Sequence, residues 1–208
     1  MSRAAIEFTP NGPIVVKGLD KLTRSDGTSI EKADAHYLCR CGASGKKPFC
    51  DGSHGKAGFT DTKERGETYE THEFKGKDLT VVDNIGICCH AGECVRGAKG
   101  AFFSWEGDER ISNPDGDDKD KIIETIRKCP SGSLAYVVDG KLHDEYFAEE
   151  EIFIAKDGPL EVRGGVALNG SASAELISKE HYTLCRCGAS KNKPLCDGTH
   201  KKVGFQAD

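Results

Sequence analysis

The chain has 208 residues, 37% hydrophobic and 30% charged, with a formal net charge of -5, which excludes a disordered polyelectrolyte and suits one to three small folded units. It contains no apolar run of about 18 residues, so no spanning helix and no membrane partner are expected; the start, MSRAAIEFTPNG, has no apolar leader core, so a cytoplasmic location is expected. Lys and Arg against Asp and Glu number nine to six over residues 1–60, thirteen to twenty-three over 61–157 and seven to five over 158–208; an acidic middle between mildly basic ends argues against nucleic acid and permits a basic protein partner.

In chain order, PIVVKG at residues 13–18 reads as a short strand closed by glycine. It leads to LCRCGASGKKPFCDGSH, residues 38–54, where three cysteines and a histidine stand in Cys-x-Cys-x8-Cys-x3-His spacing. Residues two apart in extended chain point the same way, so Cys39 and Cys41 can share one centre. Residues four apart share a helical face, so Cys50 and His54 can add two more donors if a helical turn follows the third cysteine. Four soft or borderline donors suit either tetrahedral zinc or an iron–sulfur cluster, although the usual zinc knuckle of Cys-x2-Cys to Cys-x4-Cys is missing. Ten cysteines in a reducing compartment point to metal or redox chemistry rather than disulfides.

Further along, KDLTVVDN, AFFSW and LAYVV read as strands, and DKIIETIRKC as a helix with Ile122, Ile126 and Cys129 on one face, stopped by Pro130. That order outlines a ferredoxin-like α+β unit. Cys88, Cys94 and Cys129-Pro130 follow the bacterial ferredoxin spacing, with Ala91 where the second cysteine would stand. Three thiolates favour a 3Fe–4S cluster; the alternative is 4Fe–4S with Cys89, His90 or an outside ligand on the fourth iron. Cys89 reads as a small core residue and His90 as a surface or supporting group. Phe102, Phe103 and Trp105 read as core beneath the cluster loop, and His36, His72, His143 and His181 as solvent-facing. The acidic stretches DGDDKD and Glu149 to Glu151 read as solvated, the second marking a boundary.

A shift of 146 residues aligns Gly12-Pro13 with Gly158-Pro159, the loop at 38–54 with LCRCGASKNKPLCDGTH at 184–200, and Gly58-Phe59 with Gly204-Phe205, without a gap. The repeat is therefore a structural unit, with PLEVRG as its strand and Cys185, Cys187, Cys196 and His200 as its donors. A unit of roughly 50 residues buries too little apolar surface alone, so a metal centre, packing of the copies on each other, or both must support it.

These loops resemble the CDGSH iron–sulfur motif of the mitoNEET family, Cys-x-Cys-x2-Ser/Thr-x3-Pro-x-Cys-Asp-Gly-Ser/Ala/Thr-His. It is met at Cys39, Cys41, Ser44, Pro48, Cys50, Asp51, Gly52, Ser53 and His54, and again at Cys185, Cys187, Ser190, Pro194, Cys196, Asp197, Gly198, Thr199 and His200. The resemblance spans about half the chain and implies one 2Fe–2S cluster per copy, held by three cysteines and a histidine. Ser44, Asp51, Ser190 and Asp197 would then orient the loops rather than ligate. Exchanging a thiolate for a neutral imidazole places the expected potential between those of plant-type ferredoxins and Rieske centres. The histidine is also the ligand a proton can displace, so cluster loss in mild acid is expected. The middle segment is similar to the divergent mono-cluster ferredoxin domain found fused to CDGSH motifs in bacterial proteins.

The expected architecture is α+β: two small β-rich CDGSH domains, 1–62 and 151–208, paired within one chain about a pseudo-twofold axis as one-motif family members pair in dimers, around a ferredoxin-like insertion, 63–150. The expected function is a three-cluster single-electron carrier, not an enzyme, since no nucleotide-binding glycine fingerprint, nucleophile elbow or Cys-x-x-Cys pair occurs. Its expected partner is a redox protein. The alternative is cluster storage or transfer to an apo iron–sulfur acceptor, or redox or pH sensing.

Overall fold

The computed structural model describes residues 4–65, 70–107 and 109–208; the first three residues of the segment read above for a leader lie outside them. The first copy runs β1 (Ala5–Phe8), β2 (Ile14–Lys17), β3 (Leu22–Arg24), β4 (Ser29–Ile30), β5 (Ala35–Leu38) and α1 (Ser53–Lys56). The middle runs β6 (His72–Lys75), β7 (Thr80–Asp83), a 3-10 turn (Ile85–Ile87), α2 (Glu93–Gly97), α3 (Lys99–Phe102), β8 (Ser104–Glu106), β9 (Glu109–Ile111), α4 (Lys119–Ile126), β10 (Leu134–Val138) and β11 (Lys141–His143). The second copy runs β12 (Glu151–Ile154), β13 (Leu160–Arg163), β14 (Ala167–Leu168), a 3-10 turn (Ser171–Glu175), β15 (Tyr182–Leu184) and α5 (Thr199–Lys202). The mixture is of small sheets and short helices. PIVVKG and PLEVRG form β2 and β13, the central members of their three-stranded meanders.

Each copy lends a strand to the other's sheet. β14 pairs parallel with β1, Ala5 opposite Ala167 and Ile6 opposite Leu168, while β3 pairs parallel with β12, Leu22 opposite Ile152 and Arg24 opposite Ile154. The seam closes at an isolated antiparallel bridge between Cys41 and Cys187. There the Gly42 and Gly188 backbones, at φ +77° and +78°, pass so close that a Cβ on either would sit 2.5 Å from the carbonyl oxygen of Cys187 or Cys41. Alternating apolar residues of both meanders, including Ile6, Ile14, Val16 and Leu38 with Ile152, Leu160, Val162 and Leu184, bury into one shared core. Neither copy alone has such a core, and sharing it answers the shortage expected of a 50-residue unit.

The middle segment has its own sheet, ordered β11-β10-β7-β6, under α4. Ile122 and Ile126 of α4 pack with Phe102, Val81 and Leu134 in a second core. Asp118 caps α4 by accepting from the Asp120 and Lys121 N–H groups. Helix α4 ends at Ile126, so Cys129 follows it in a turn, yet joins the same core. AFFSW departs from the expected strand: Ala101 and Phe102 belong to α3, and only Ser104–Glu106 pairs with β9. The Phe102 and Phe103 N–H groups donate to Ala98 O and Lys99 O, so local helical bonds that bury Phe102 override the β preference of the aromatics. Phe103 and Trp105 are consequently exposed, at 59% and 46%, rather than core.

Candidate metal centres

Each loop is stapled to its own meander before its donors are reached. In the first, the Cys39 N–H donates to Pro48 O and the Cys50 N–H to Tyr37 O, both at 2.8 Å. In the second, Cys185 and Cys196 bond likewise to Pro194 O and Thr183 O, at 2.9 and 3.0 Å. The third cysteine is followed by a left-handed glycine, Gly52 or Gly198, which turns the chain into the short helix carrying the histidine.

The donors meet in pairs. Cys39 Sγ and Cys41 Sγ lie 3.6 Å apart, and Cys50 Sγ lies 3.4 Å from His54 Nδ1. In the second loop Cys185 Sγ and Cys187 Sγ lie 3.7 Å apart, and Cys196 Sγ 3.4 Å from His200 Nδ1. Two thiolates bound at about 2.3 Å to one tetrahedral ion stand about 3.8 Å apart, so each pair has the spacing of two ligands on one metal. Among the described residues no three His, Cys, Asp or Glu side chains converge on a single ion position, and a two-plus-two donor set suits a two-iron cluster better than one zinc ion. All ten cysteines are free of disulfides.

Electrostatics favour a cationic centre here. Burial pushes the Cys41 and Cys196 thiols up, and in the second loop the Cys187 thiolate, accepting from Cys185, is held low while Cys185 is held high. Crowded, buried thiols ionise together only when a metal supplies positive charge. Burial also lowers the His200 pKa, keeping its ring neutral and able to coordinate.

Ser44, Asp51, Ser190 and Asp197 hold loop backbone, as a supporting role requires. Ser44 Oγ donates to Phe49 O and Ser190 Oγ to Leu195 O, both at 2.7 Å. Asp51 accepts from the Gly45 and Ser53 N–H groups, and Asp197 from Lys191 and Thr199. Hydrogen bonds from Ser53 hold Asp51 far below the usual carboxylate range; burial works against Asp197, but the bonds from Thr199 and Lys191 outweigh it.

Two buried arginines between the cysteines were not singled out in the sequence. Arg40 donates from Nε to Gly12 O and from Nη2 to Thr9 O and Asp61; Arg186 donates to Gly158 O and Ala155 O and to the carbonyls of Ala207 and Asp208. Each guanidinium also lies over the closing aromatic of its copy, Phe59 or Phe205. Tying the hairpin turn, the cysteine loop and the copy's end together requires five donors in a fixed fork, hence arginine. Its recurrence in Cys-Arg-Cys was the available signal.

In the middle, Cys88, Cys94 and Cys129 line one cavity with Cys89, Ala91 and Arg110. Ser131 Oγ and Ser133 Oγ lie 3.6 and 3.5 Å from Cys129 Sγ, and the His90 N–H donates to Cys88 Sγ at 3.4 Å. Arg110, buried, forms a two-pronged pair with Asp83 at 2.6 and 2.7 Å and donates from Nη1 to Cys94 Sγ at 3.5 Å, with Cys88 Sγ at 3.9 Å. Ser112 Oγ also donates to Asp83. Burial opposes the Arg110 charge, but Asp83 and the two thiols hold it above its ordinary value; burial raises the Cys88 and Cys94 thiols. The donor set of three thiols under a guanidinium suits an anionic cluster, and Ala91 places no donor at the fourth corner. Arg110 and Asp83 were invisible to motif reading, being 27 residues apart with no fixed spacing to the cysteines.

Cys89 is buried, as expected, and carries a further meaning: its thiol is pushed well up by burial and then by the charges of Cys196 and Cys88. The middle and second donor sets therefore adjoin. His90, exposed overall, lays its ring against Gly198, whose Cβ, if it had one, would meet His90 Cδ2 at 2.6 Å. Two other histidines depart from the solvent-facing expectation. His36 is buried beside Phe49, and His181 is fully buried with Nδ1 3.2 Å from Ser178 Oγ and 3.0 Å from Glu180 Oε2. His36, opposite Val16 in β5, points to the core face, and His181, just before β15, is enclosed by the rings of Tyr146 and Phe147; in both, packing outweighs residue type.

Comparison with known proteins agrees with this geometry. The family described as "Iron-binding zinc finger CDGSH type" matches residues 11–55 and 157–201, and that described as "Divergent 4Fe-4S mono-cluster" matches 74–139. The chain is similar to the uncharacterized protein YjdI of Escherichia coli K12, 38% identical over 63 residues, 30% of this chain and 80% of that protein. It is also similar to the human mitochondrial CDGSH iron-sulfur domain-containing protein 3, 45% identical over 38 residues, 18% of this chain and 30% of that one. No solved structure matches. Among the described residues no helix is long and apolar enough to cross a membrane.

Proposed function

We propose, because the chain belongs to the CDGSH iron–sulfur family and carries two copies of its motif around a divergent 4Fe–4S mono-cluster region, that it is a three-centre, single-electron carrier and not an enzyme. Cys39, Cys41, Cys50 and His54 would hold one 2Fe–2S cluster and Cys185, Cys187, Cys196 and His200 another, supported by Ser44, Asp51, Ser190 and Asp197. Cys88, Cys94 and Cys129 would hold the third. Such clusters supply reversible one-electron capacity at potentials set by ligand type, hydrogen bonds to sulfur and burial. The reciprocal strand pairing supports reading the two copies as a pseudo-twofold pair, with a ferredoxin-like domain inserted between them.

One observation carries the electron-transfer reading. His90, two residues after Cys88, rests on Gly198, between Cys196 and His200, so two donor sets share a wall one residue thick. Clusters serving only as staples have no use for such contact. At the middle centre we read 3Fe–4S from the three thiolates and Ala91; the matched family's 4Fe–4S needs a fourth donor, for which Cys89, lining the cavity, is a candidate.

The test is a redox cycle on the full chain. Dithionite should bleach the visible absorbance and ferricyanide restore it with iron and sulfide content unchanged; irreversible loss of iron in one cycle would reject the carrier. Low-temperature EPR decides the middle centre, since an oxidised 3Fe–4S cluster is paramagnetic, and a spectrum silent before reduction would leave 4Fe–4S. A second reading, donation of a 2Fe–2S unit to an apo-acceptor, is favoured by the exposure of the first loop; apo-ferredoxin gaining absorbance as this protein loses it would establish that reading. A reducing, cytoplasmic setting goes with both.

A further inference from the structure

We infer that the histidine-bearing end of the first loop is a docking face for a small acidic one-electron redox protein of the ferredoxin kind. The inference deepens the carrier reading and rests on it. The second loop shows what covers such a face within this molecule. The N–H groups of Glu64 and Arg65 donate to Lys191 O at 3.0 and 2.9 Å, and Lys193 Nζ lies 3.6 Å from the Glu64 carboxylate. Asn192 Nδ2 donates to Gly86 O at 3.0 Å, Lys201 Nζ donates to His90 O, and the His90 ring closes over Gly198. The covering residues come from the strongly acidic stretch 61–157: Glu64 meets Lys193 and the His90 carbonyl meets Lys201 of the covered loop, while Arg65 acts on its Asp197.

The same offset of 146 residues carries Asn192, Lys193, Gly198, Lys201 and Lys202 onto Lys46, Lys47, Gly52, Gly55 and Lys56. There the face is open. Nothing lies within 4 Å of where a Cβ on Gly52 or Gly55 would be. Lys46 and Lys56 are exposed and make no ion pair among the described residues, while Lys47 Nζ turns back to Ser44 O at 2.6 Å. Asp51, the acid on this face, spends its carboxylate on the Gly45 and Ser53 N–H groups of its own loop. The result is a centre of glycines, permitting approach to His54 as close as that of His90 to the second loop, inside a cationic rim. Charge complementarity and the internal precedent together commit the occupant to an acidic protein. On docking, one electron leaves the reduced partner, which is thereby oxidised, and reduces the first centre; no bond is made or broken and no proton moves.

The test uses the full, cluster-loaded chain and an acidic plant-type 2Fe–2S ferredoxin as probe, with binding read by calorimetry at low and high salt. Wild type should bind with an affinity that falls as salt rises, and the double variant K46E/K56E should bind at least about tenfold more weakly. K46Q/K56Q should fall between them, which keeps the result readable if charge reversal harms folding. The second-order electron-exchange rate in stopped flow should fall in parallel, while reduction by a photoreduced neutral deazaflavin stays unchanged. Equal binding by wild type and K46E/K56E, binding insensitive to salt, or no binding overturns the docking face. Irreversible bleaching by the deazaflavin overturns the carrier reading instead, and the calorimetry still decides the face.

Discussion

Gly52 and Gly198 stand at the same place in their loops, both left-handed, at φ +85° and +79°. The missing Cβ of the first looks onto open space, and that of the second onto an imidazole 2.6 Å away. The contrast extends outward: His54 is half-buried and His200 buried, Cys50 half-buried and Cys196 buried, Asp51 exposed and Asp197 half-buried. Inward, toward the seam, the loops match: donor spacings agree within 0.1 Å, and the arginine and serine contacts repeat. A duplicated motif can thus keep its ligand geometry while one copy acquires a permanent neighbour. The ligand chemistry is local, and everything that distinguishes the centres comes from what the chain packs against them.

The seam should be the most sensitive and the most even-handed place to break. Gly42→Ala and Gly188→Ala each force a Cβ to 2.5 Å from a carbonyl oxygen at a left-handed residue. Left-handed strain and overpacking together should cost about 3 kcal/mol or more in either variant, read by denaturant unfolding of the holoprotein. Losses differing by more than about 1 kcal/mol between the two would contradict the equivalence of the inner halves.

One step outward the equivalence should fail. Gly52→Ala should carry only the strain of its left-handed backbone, about 1 kcal/mol. Gly198→Ala adds collision with His90 and should cost about 2 kcal/mol beyond that. His90→Gly in the Gly198→Ala background should return the difference. If both alanine variants lose the same stability, His90 does not cover the second loop in solution.

How much of this was legible beforehand depended on how local each feature is. The eight loop donors, the Ser and Asp supports and the strands PIVVKG and PLEVRG are written in short spacings that repeat, and the 146-residue offset made them readable. The exchange of β3 and β14 between sheets was not, because nothing in three residues such as Leu22–Arg24 names the distant partner Ile152–Ile154. Arg110 and Asp83 form the middle centre's polar wall through tertiary packing, and burial of His36 by a strand face and of His181 by the rings of Tyr146 and Phe147 is likewise set by packing rather than residue type. Cys129 faced the predicted way, since the turn after α4 keeps its side chain on the side of Ile122 and Ile126.

Cover should also set how fast iron is lost. In chains keeping one CDGSH centre each, Cys196→Ser and Cys50→Ser, a ferrous chelator should strip the exposed first centre about tenfold faster than the covered second, followed by visible absorbance. Local opening of low-contact, solvent-exposed segments precedes such release, and the first loop has fewer contacts to break. Equal rates would mean that cover is irrelevant to release and that both loops open from the seam.

The smallest effect concerns the middle centre, where the comparison sharpens into two ways of tuning a cluster. On the proposed ligand sets the CDGSH loops would be tuned by a ligand exchange, imidazole for thiolate, whereas in the middle a guanidinium donates to the sulfurs of Cys94 and Cys88. Asp83 neutralises most of the long-range field of Arg110, being bound to it at two points, so what remains is largely the hydrogen bond to sulfur. Such a bond strengthens as the cluster gains negative charge, so it favours the reduced state by about 0.5 to 1.5 kcal/mol, or roughly 20 to 60 mV for one electron. Arg110→Gln alone would strand a buried carboxylate, so the informative variant is R110Q/D83N, which removes both charges together. An EPR-monitored titration should show the middle centre's midpoint falling by that amount while both CDGSH midpoints hold. An unchanged midpoint would reduce Arg110 to a structural partner of Asp83, and a parallel fall at the second CDGSH centre would mean that the two adjoining centres titrate as one coupled system rather than as separately tuned sites.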